Sequence, residues 1–536
     1  MNAKNTSAIT ASLLLFVLLF CAIAAAAPVE KWGVFESELQ GPSKGNPFLD
    51  VGLTATFSCA GESLEVAGFY DGNGVYRVRF MPEQTGTWCY EIRSNCSELA
   101  GKRGEFIVVP PSPRNHGPVS VCNTFHFAYA DSSPFHQMGT TCYSWIHCPD
   151  SLQEETLRTL AASPFNKVRM LVFPTDQGVG DKPPLFFPFE GRPPRQWDFA
   201  RFNPEFFRLL EKRVGQLRDL GVECDLILFH PYGRKWGFNA MDSESDDRYL
   251  RYVVARLAAY RNVRWSMANE FDFLKTKSES DWDRFFHVVR QSDPYGRLRS
   301  IHNGYLIYNH TQPWVTHASI QNGSAVEEAG RAQLYRDVYR KPIVYDEVKY
   351  EGDIDRRWGR LSAQELVHRF WSGLVAGTYV GHGECFKRPD GITWLSHGGR
   401  LRGQSPPRLA FLRKIMEEGP ADGIDPIDKW QDPRIGGKPG EYYLVYFGRE
   451  APTSWPFQLY KNGMRDGLAY RVERIDTWDM TIEPVEGVFV ARKKDIYHFI
   501  DEKERAVPMP GKPYMALRIR RVGGQPAPAD QEPPGE

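Results

Sequence analysis

Between Pro134 and Gly419 the chain repeats one pattern, an apolar run of strand length followed by a segment with the apolar spacing of an amphipathic helix. Eight such runs can be drawn: Phe135–Thr141, Lys167–Phe173, Glu223–Phe229, Val263–Ala268, Leu298–His302, Val315–Ile320, Pro342–Asp346 and Thr378–His382. Helix starts are marked between them. Asn203-Pro204-Glu205 puts a capping side chain before a proline at the first helical position, and Ser362-Ala363-Gln364-Glu365 reads as a capping box. The helix between the fifth and sixth runs is missing or very short. Eight strands alternating with helices over about 290 residues match the size of a (β/α)8 TIM barrel. A doubly wound open sheet is the competing topology, and the placement of the polar residues favours the barrel.

The flanks differ in kind. From Trp32 to Val109 short alternating strands such as Gly74–Phe80 and Gly86–Ile92 predict a β-sandwich, and Pro110-Pro111-Ser112-Pro113 is a stiff break after it. After the barrel, Glu441–Phe447 and Tyr514–Ile519 again read as strands. The expected order is a leader at 1–27, an N-terminal β-sandwich at 28–113, a catalytic barrel at 119–420, a C-terminal β domain at 425–522 and a disordered tail at 523–536. The tail is rich in Pro, Gly and acidic residues.

Composition narrows the partners. Lys+Arg and Asp+Glu are equal at 66 each, so no global field draws the protein to nucleic acid or an anionic membrane. Aromatic residues at 13% fit stacking on flat apolar faces such as sugar rings, although they also serve a core. Lys4, the apolar run Leu13–Ile23 and the small residues Ala24–Ala27 follow the order of a secretory signal. They predict a secreted or periplasmic protein with no membrane span once the leader is removed. Beyond the leader stand Cys59, Cys89, Cys96, Cys122, Cys142, Cys148, Cys224 and Cys385. One or two disulfides at most are expected, with Cys89 and Cys96 the local pair; buried free thiols are the alternative.

In a barrel the reactive face is built at the C-terminal ends of the strands. The polar residues there are Cys142 to Trp145, Arg169, His230, Asn269 with Glu270, His302 with Asn303, His317, Glu347, and His382 with Glu384. Arg169 and His317 fall inside the drawn strands. Glu270 and Glu347 each follow a short apolar run directly, as acid/base and nucleophilic chemistry on a sugar requires. Asp346 and Glu351 are nearby carboxylates outside that pair. Asp346, one residue before Glu347, is expected to point to the opposite face of its strand, and Glu351 to lie in the loop beyond.

The Asn269-Glu270 pair after strand four, Glu347 after strand seven, Arg169 on strand two and His230 after strand three resemble the retaining glycoside hydrolases of clan A. More closely, Tyr345-Asp346-Glu347-Val348-Lys349-Tyr350-Glu351-Gly352-Asp353, followed by Gly381-His382-Gly383-Glu384, resembles the apiosidase-like branch. That branch carries a β-sandwich before the barrel and a β domain after it. The resemblance implies Glu270 as general acid/base, Glu347 as nucleophile, Asn269 on the sugar 2-hydroxyl and Arg169 holding Glu347 ionised. It places His317 and the His382/Glu384 pair where relatives offer substrate contacts after strands six and eight. Trp145, Tyr350 and Trp394 are candidates for aromatic subsite walls, with core packing as the competing role. Structural roles also compete for Arg169, as an ion-pair partner, and for His230, as a satisfied core histidine. No metal or other cofactor is expected. Carbohydrate is the expected partner, and the oligomeric state is left open. The alternatives are a carbohydrate-binding barrel without catalysis and a metal-dependent hydrolase on the same scaffold.

Overall fold

The computed structural model describes residues 27–176, 183–321, 326–428 and 431–523. Most of the expected leader and all but the first residue of the expected tail lie outside them. Eight parallel strands form the central sheet: β1 (Gly139–Thr141), β2 (Lys167–Leu171), β3 (Glu223–Phe229), β4 (Val263–Ala268), β5 (Arg299–Ser300), β6 (Ala318–Gln321), β7 (Ile343–Glu347) and β8 (Tyr379–His382). Their order, β5-β4-β3-β2-β1-β8-β7-β6, places β1 between β2 and β8. A parallel bridge from His302 to Ser319 joins β5 to β6 and closes the ring. That closure excludes the doubly wound sheet.

Among the described residues seven long helices flank these strands: α1 (Asp150–Ala161), α2 (Pro204–Asp219), α3 (Ser243–Leu257), α4 (Glu279–Ser292), α5 (Ala329–Tyr339), α6 (Ala363–Val375) and α7 (Ser405–Glu417). No helix lies between β5 and β6. In α4, Trp282, Phe285, Phe286 and Val289 repeat at helical spacing and are buried in the same core as Trp265 of β4 and Phe229 of β3. At the start of α2, Asn203 accepts the Glu205 N–H at 3.1 Å ahead of Pro204.

The inside of the barrel carries charge. Lys167 Nζ lies 2.8 Å from Asp225 Oδ2 and 2.7 Å from Asp346 Oδ1, all three fully buried. Charges so far from water persist only when paired. This cluster forms the floor beneath the strand ends.

Before the barrel a seven-stranded, mostly antiparallel sheet folds around Phe35, Phe57, Phe80 and Phe106. After it a nine-stranded sheet encloses its own core, while Tyr442, Leu444 and Tyr446 on its other face join the barrel's core. The expected Cys89–Cys96 disulfide is absent, and all eight described cysteines are free. Cys89 lies within the strand Gly86–Ser94. The five steps from it to Ser94 span about 16 Å at about 3.3 Å per residue, too far for two further residues to return Cys96 within bonding range. No helix among the described residues is long and apolar enough to cross a membrane.

Candidate active site

The site is assembled at the ends of β1 to β7, with β3 supplying Tyr232 from the loop after it. Glu270 follows β4 with φ +47°, a left-handed conformation that side chains other than glycine rarely adopt. The turn aims its carboxylate at two neighbours. Gln321 Nε2 donates to Oε1 at 2.6 Å, and the Tyr232 hydroxyl donates to Oε2. Burial raises the Glu270 pKa to about 8, with nearby Glu347 and Asp272 pushing in the same direction.

Glu347 is treated in the opposite sense. Tyr143 donates its hydroxyl to Oε1, His302 Nε2 lies 3.4 Å from the same oxygen, and Arg169 Nη1 lies 3.5 Å from it. Burial alone would raise this carboxyl, but His302, Arg169 and the Tyr143 hydroxyl outweigh it and hold the pKa at about 2. Arg169 also donates to Asn269 Oδ1 at 2.7 Å, and Asn269 Nδ2 donates to the Tyr232 hydroxyl at 3.3 Å. One chain of contacts therefore runs from Glu347 through Arg169, Asn269 and Tyr232 to Glu270.

Below Glu347 a second chain begins. His302 Nδ1 lies 3.0 Å from Ser319 Oγ, which donates to Asp346 Oδ2 at 2.5 Å. Asp346 was expected to face away from the barrel, and it does not. Ser319 pairs with Val344 and Gln321 with Glu347, so β7 uses three steps where β6 uses two. The extra residue is a β-bulge, which lets successive carboxylates serve the same side. Lys167, Arg169 and His302 draw the Asp346 pKa well below the usual range against the effect of burial.

Of the residues singled out by sequence, Glu270, Glu347, Arg169, Asn269 and His302 come together, and Asn303 Oδ1 accepts the Gln321 N–H at 3.1 Å beside them. Tyr350 is buried in the electrostatic neighbourhood of Glu347, its ring packed edge-on against Trp358 with centroids 6.0 Å apart. His230 stands one step back. Its Nε2 is 2.9 Å from the Phe173 carbonyl and its Nδ1 accepts the Tyr232 N–H, so the ring is neutral and positions Tyr232. Burial lowers its pKa to about 4.

The remainder are elsewhere. His317 precedes β6, fully buried beside Phe127 at the opposite end of the barrel; the residue that β6 delivers to the site is Gln321. His382 pairs with Thr140, whose neighbours Gly139 and Thr141 align with the inward-facing Lys167 and Arg169. Strand alternation therefore turns it outward, where Nδ1 lies 2.9 Å from Thr140 Oγ1. Trp394 donates to that same oxygen at 2.8 Å, and Trp145 donates to Met170 Sδ at 3.0 Å; both are core residues and not subsite walls. Glu384 accepts the N–H groups of Arg402 and Gly403, while Glu351 accepts those of Gln404 and Ser405. The two carboxylates clamp the start of α7. Among the described residues no group of three or more His, Cys, Asp or Glu is placed to hold a metal ion.

Tyr143, Tyr232 and Gln321 were not singled out individually. Tyr143 lies inside the marked Cys142–Trp145 segment, Tyr232 two residues after His230, and Gln321 directly after an expected strand end. Position after a strand was the available signal for all three.

Residues 122–383 match the family model described as the apiosidase-like catalytic domain. Residues 28–95 and 430–520 match two domains of unknown function, DUF5060 and DUF5605. Among solved structures, a candidate glycoside hydrolase from Bacteroides vulgatus ATCC 8482 is 41% identical, with a TM-score of 0.89 over 93% of this chain and 100% of its own. A glycoside hydrolase family 5 protein from the same organism, 16% identical, shares the fold at a TM-score of 0.55 over 76% of this chain and 94% of its own. No curated protein matches. With near-complete coverage by a 41% identical structure and a barrel matched by that family model, the chain belongs to the apiosidase-like family of glycoside-hydrolase barrels.

Proposed function

We propose that this chain is an exported glycoside hydrolase that cleaves O-glycosidic bonds of a poly- or oligosaccharide with retention of configuration. The observation that carries the reading is the opposite treatment of two carboxyl groups in one site, Glu270 raised to about 8 and Glu347 lowered to about 2. At neutral pH one holds a proton and the other a charge, the division of labour that a general acid and a nucleophile need.

Glu347 attacks the anomeric carbon while Glu270 delivers its proton to the departing oxygen, which leaves a glycosyl ester on Glu347. Glu270, now ionised, takes a proton from water as the water oxygen attacks the same carbon, and Glu347 leaves as a carboxylate. The Tyr232 hydroxyl can donate to the ionised form of Glu270 or accept from the protonated one, so it stays bonded through both halves. Arg169 and His302 hold Glu347 ionised and aimed. Asn269 meets the sugar 2-hydroxyl, a bond that strengthens as positive charge develops on the ring. Export rests on the leader pattern at 1–27, and N-terminal sequencing of the exported protein checks it.

The test is turnover of aryl glycosides and of plant, algal and host glycans, with NMR of the first-formed anomer. Glu347→Gln and Glu270→Gln are each expected to lower kcat by at least about a thousandfold on a sugar leaving group while the fold is retained. Hydrolysis by both variants at the wild-type rate would refute the assignment, and an inverted first product would refute retention.

A further inference from the structure

The rings that sequence offered as sugar platforms are largely buried, whereas the most exposed aromatic side chain among the large hydrophobic residues described is Tyr305, 79% exposed beside Leu306 at 67%. Both sit on the loop that follows β5. That loop is held rigidly to the turn bearing Glu270. Asp272, two residues after Glu270, accepts the N–H groups of Gly304, Tyr305 and Leu306, the last two at 2.8 and 3.0 Å. Phe273 donates its N–H to the Glu270 carbonyl at 2.9 Å, and its ring meets that of Tyr305 edge-on with centroids 5.4 Å apart. Gly304 lies so close to the Phe273 ring that a Cβ there would stand 2.4 Å from it. At the far end Tyr308 is buried and donates to Asp283.

An apolar tip exposed to water and yet fixed by three hydrogen bonds is ordered in advance of any ligand. Its tie to Glu270, the residue placed to protonate the departing oxygen, decides which ligand. We propose that Tyr305 is the stacking platform for the sugar on the leaving-group side of the scissile bond. This rests on the roles proposed for Glu270 and Glu347 and names the residue that holds the departing half of the saccharide.

The experiment compares the glycan that the wild-type protein cleaves fastest with the glycosyl fluoride of the same glycone, whose leaving group has no ring to stack. For Tyr305→Ala the ratio of kcat/KM on the glycan to kcat/KM on the fluoride is expected to fall roughly tenfold or more, with KM carrying most of the change. Tyr305→Phe is expected to keep the ratio near wild type, since stacking needs the ring and not the hydroxyl. An unchanged ratio in Tyr305→Ala, or equal losses on both substrates, overturns the platform while leaving the catalytic reading intact. A change in sedimentation behaviour with unchanged kinetics overturns it in favour of a contact between copies. Failure of the wild-type protein to cleave any glycan or fluoride overturns the catalytic reading and the platform with it.

Discussion

Glu270 occupies backbone space that costs a residue with a Cβ on the order of 1 kcal/mol or more, and such strain collects where function over-determines geometry. Its environment also makes a prediction about pH. The proposed reaction needs Glu270 protonated and Glu347 ionised, so kcat/KM is expected to fall as pH rises through about 8, with the acid limb far below neutrality at about 2. A pH–rate profile whose basic limb lies near 5 would remove the raised proton affinity from the account. The same shift acts on stability. Between the ordinary value of 4.5 and about 8 the folded state binds more protons at Glu270 than the unfolded state, so this group's contribution to stability falls as pH rises through that window. Glu270→Gln is therefore expected to raise Tm relative to wild type by more at about pH 9 than at about pH 5. Thermal denaturation at the two pH values reads the difference. The two glutamates were legible from their place after apolar runs. Tyr232 and Gln321 were not, because what they touch depends on neighbouring strands distant in sequence.

At the scale of elements, the bulge between β6 and β7 decides which carboxylates meet the site. Strand alternation sent Asp346 outward, and one extra residue in β7 reversed that. A register shift of this kind belongs to a pair of strands and has no signature in either alone. The start of α6 shows a similar limit. Ser362 Oγ accepts the Glu365 N–H at 3.2 Å as half of the expected capping box, but the Glu365 carboxylate reaches Arg449 of the C-terminal domain instead, at 2.7 Å. The start of α7 depends on the Glu351 and Glu384 clamp. A Cβ on Gly403 would stand 2.3 Å from Glu351 Oε2 and 2.7 Å from Glu384 Oε1. Gly403→Ala is expected to destabilise the protein by about 1 to 3 kcal/mol, since neither buried carboxylate can withdraw without losing its N–H donors. Urea denaturation measures this, and a midpoint equal to wild type would mean that the clamp is loose.

Across the whole molecule, the N-terminal sheet is bound to the barrel through buried charge. Glu211 of α2 lies 2.7 Å from Arg79 of the sheet and also pairs with Arg256 of α3. Arg256 reaches back to Asp71, in the turn after the strand Glu62–Tyr70 of the sheet, at 2.8 Å. Glu211→Ala leaves two buried guanidinium groups short of a partner and is expected to cost about 3 to 5 kcal/mol. Glu65→Ala, in the exposed pair with Arg93, is expected to change little. Equal denaturation midpoints for the two variants would contradict the bracing role. By itself the sequence determined the barrel, its flanking β domains and the strand-end placement of the two glutamates, because strand length, helical period and strand-end position are local properties of the chain. The tertiary structure alone decided ring closure through His302 and Ser319, the inward turn of Asp346, the burial of Trp145 and Trp394, and the recruitment of Tyr143, Tyr232 and Gln321. Each depends on a register or a contact between segments far apart in the chain, which no single stretch of residues encodes.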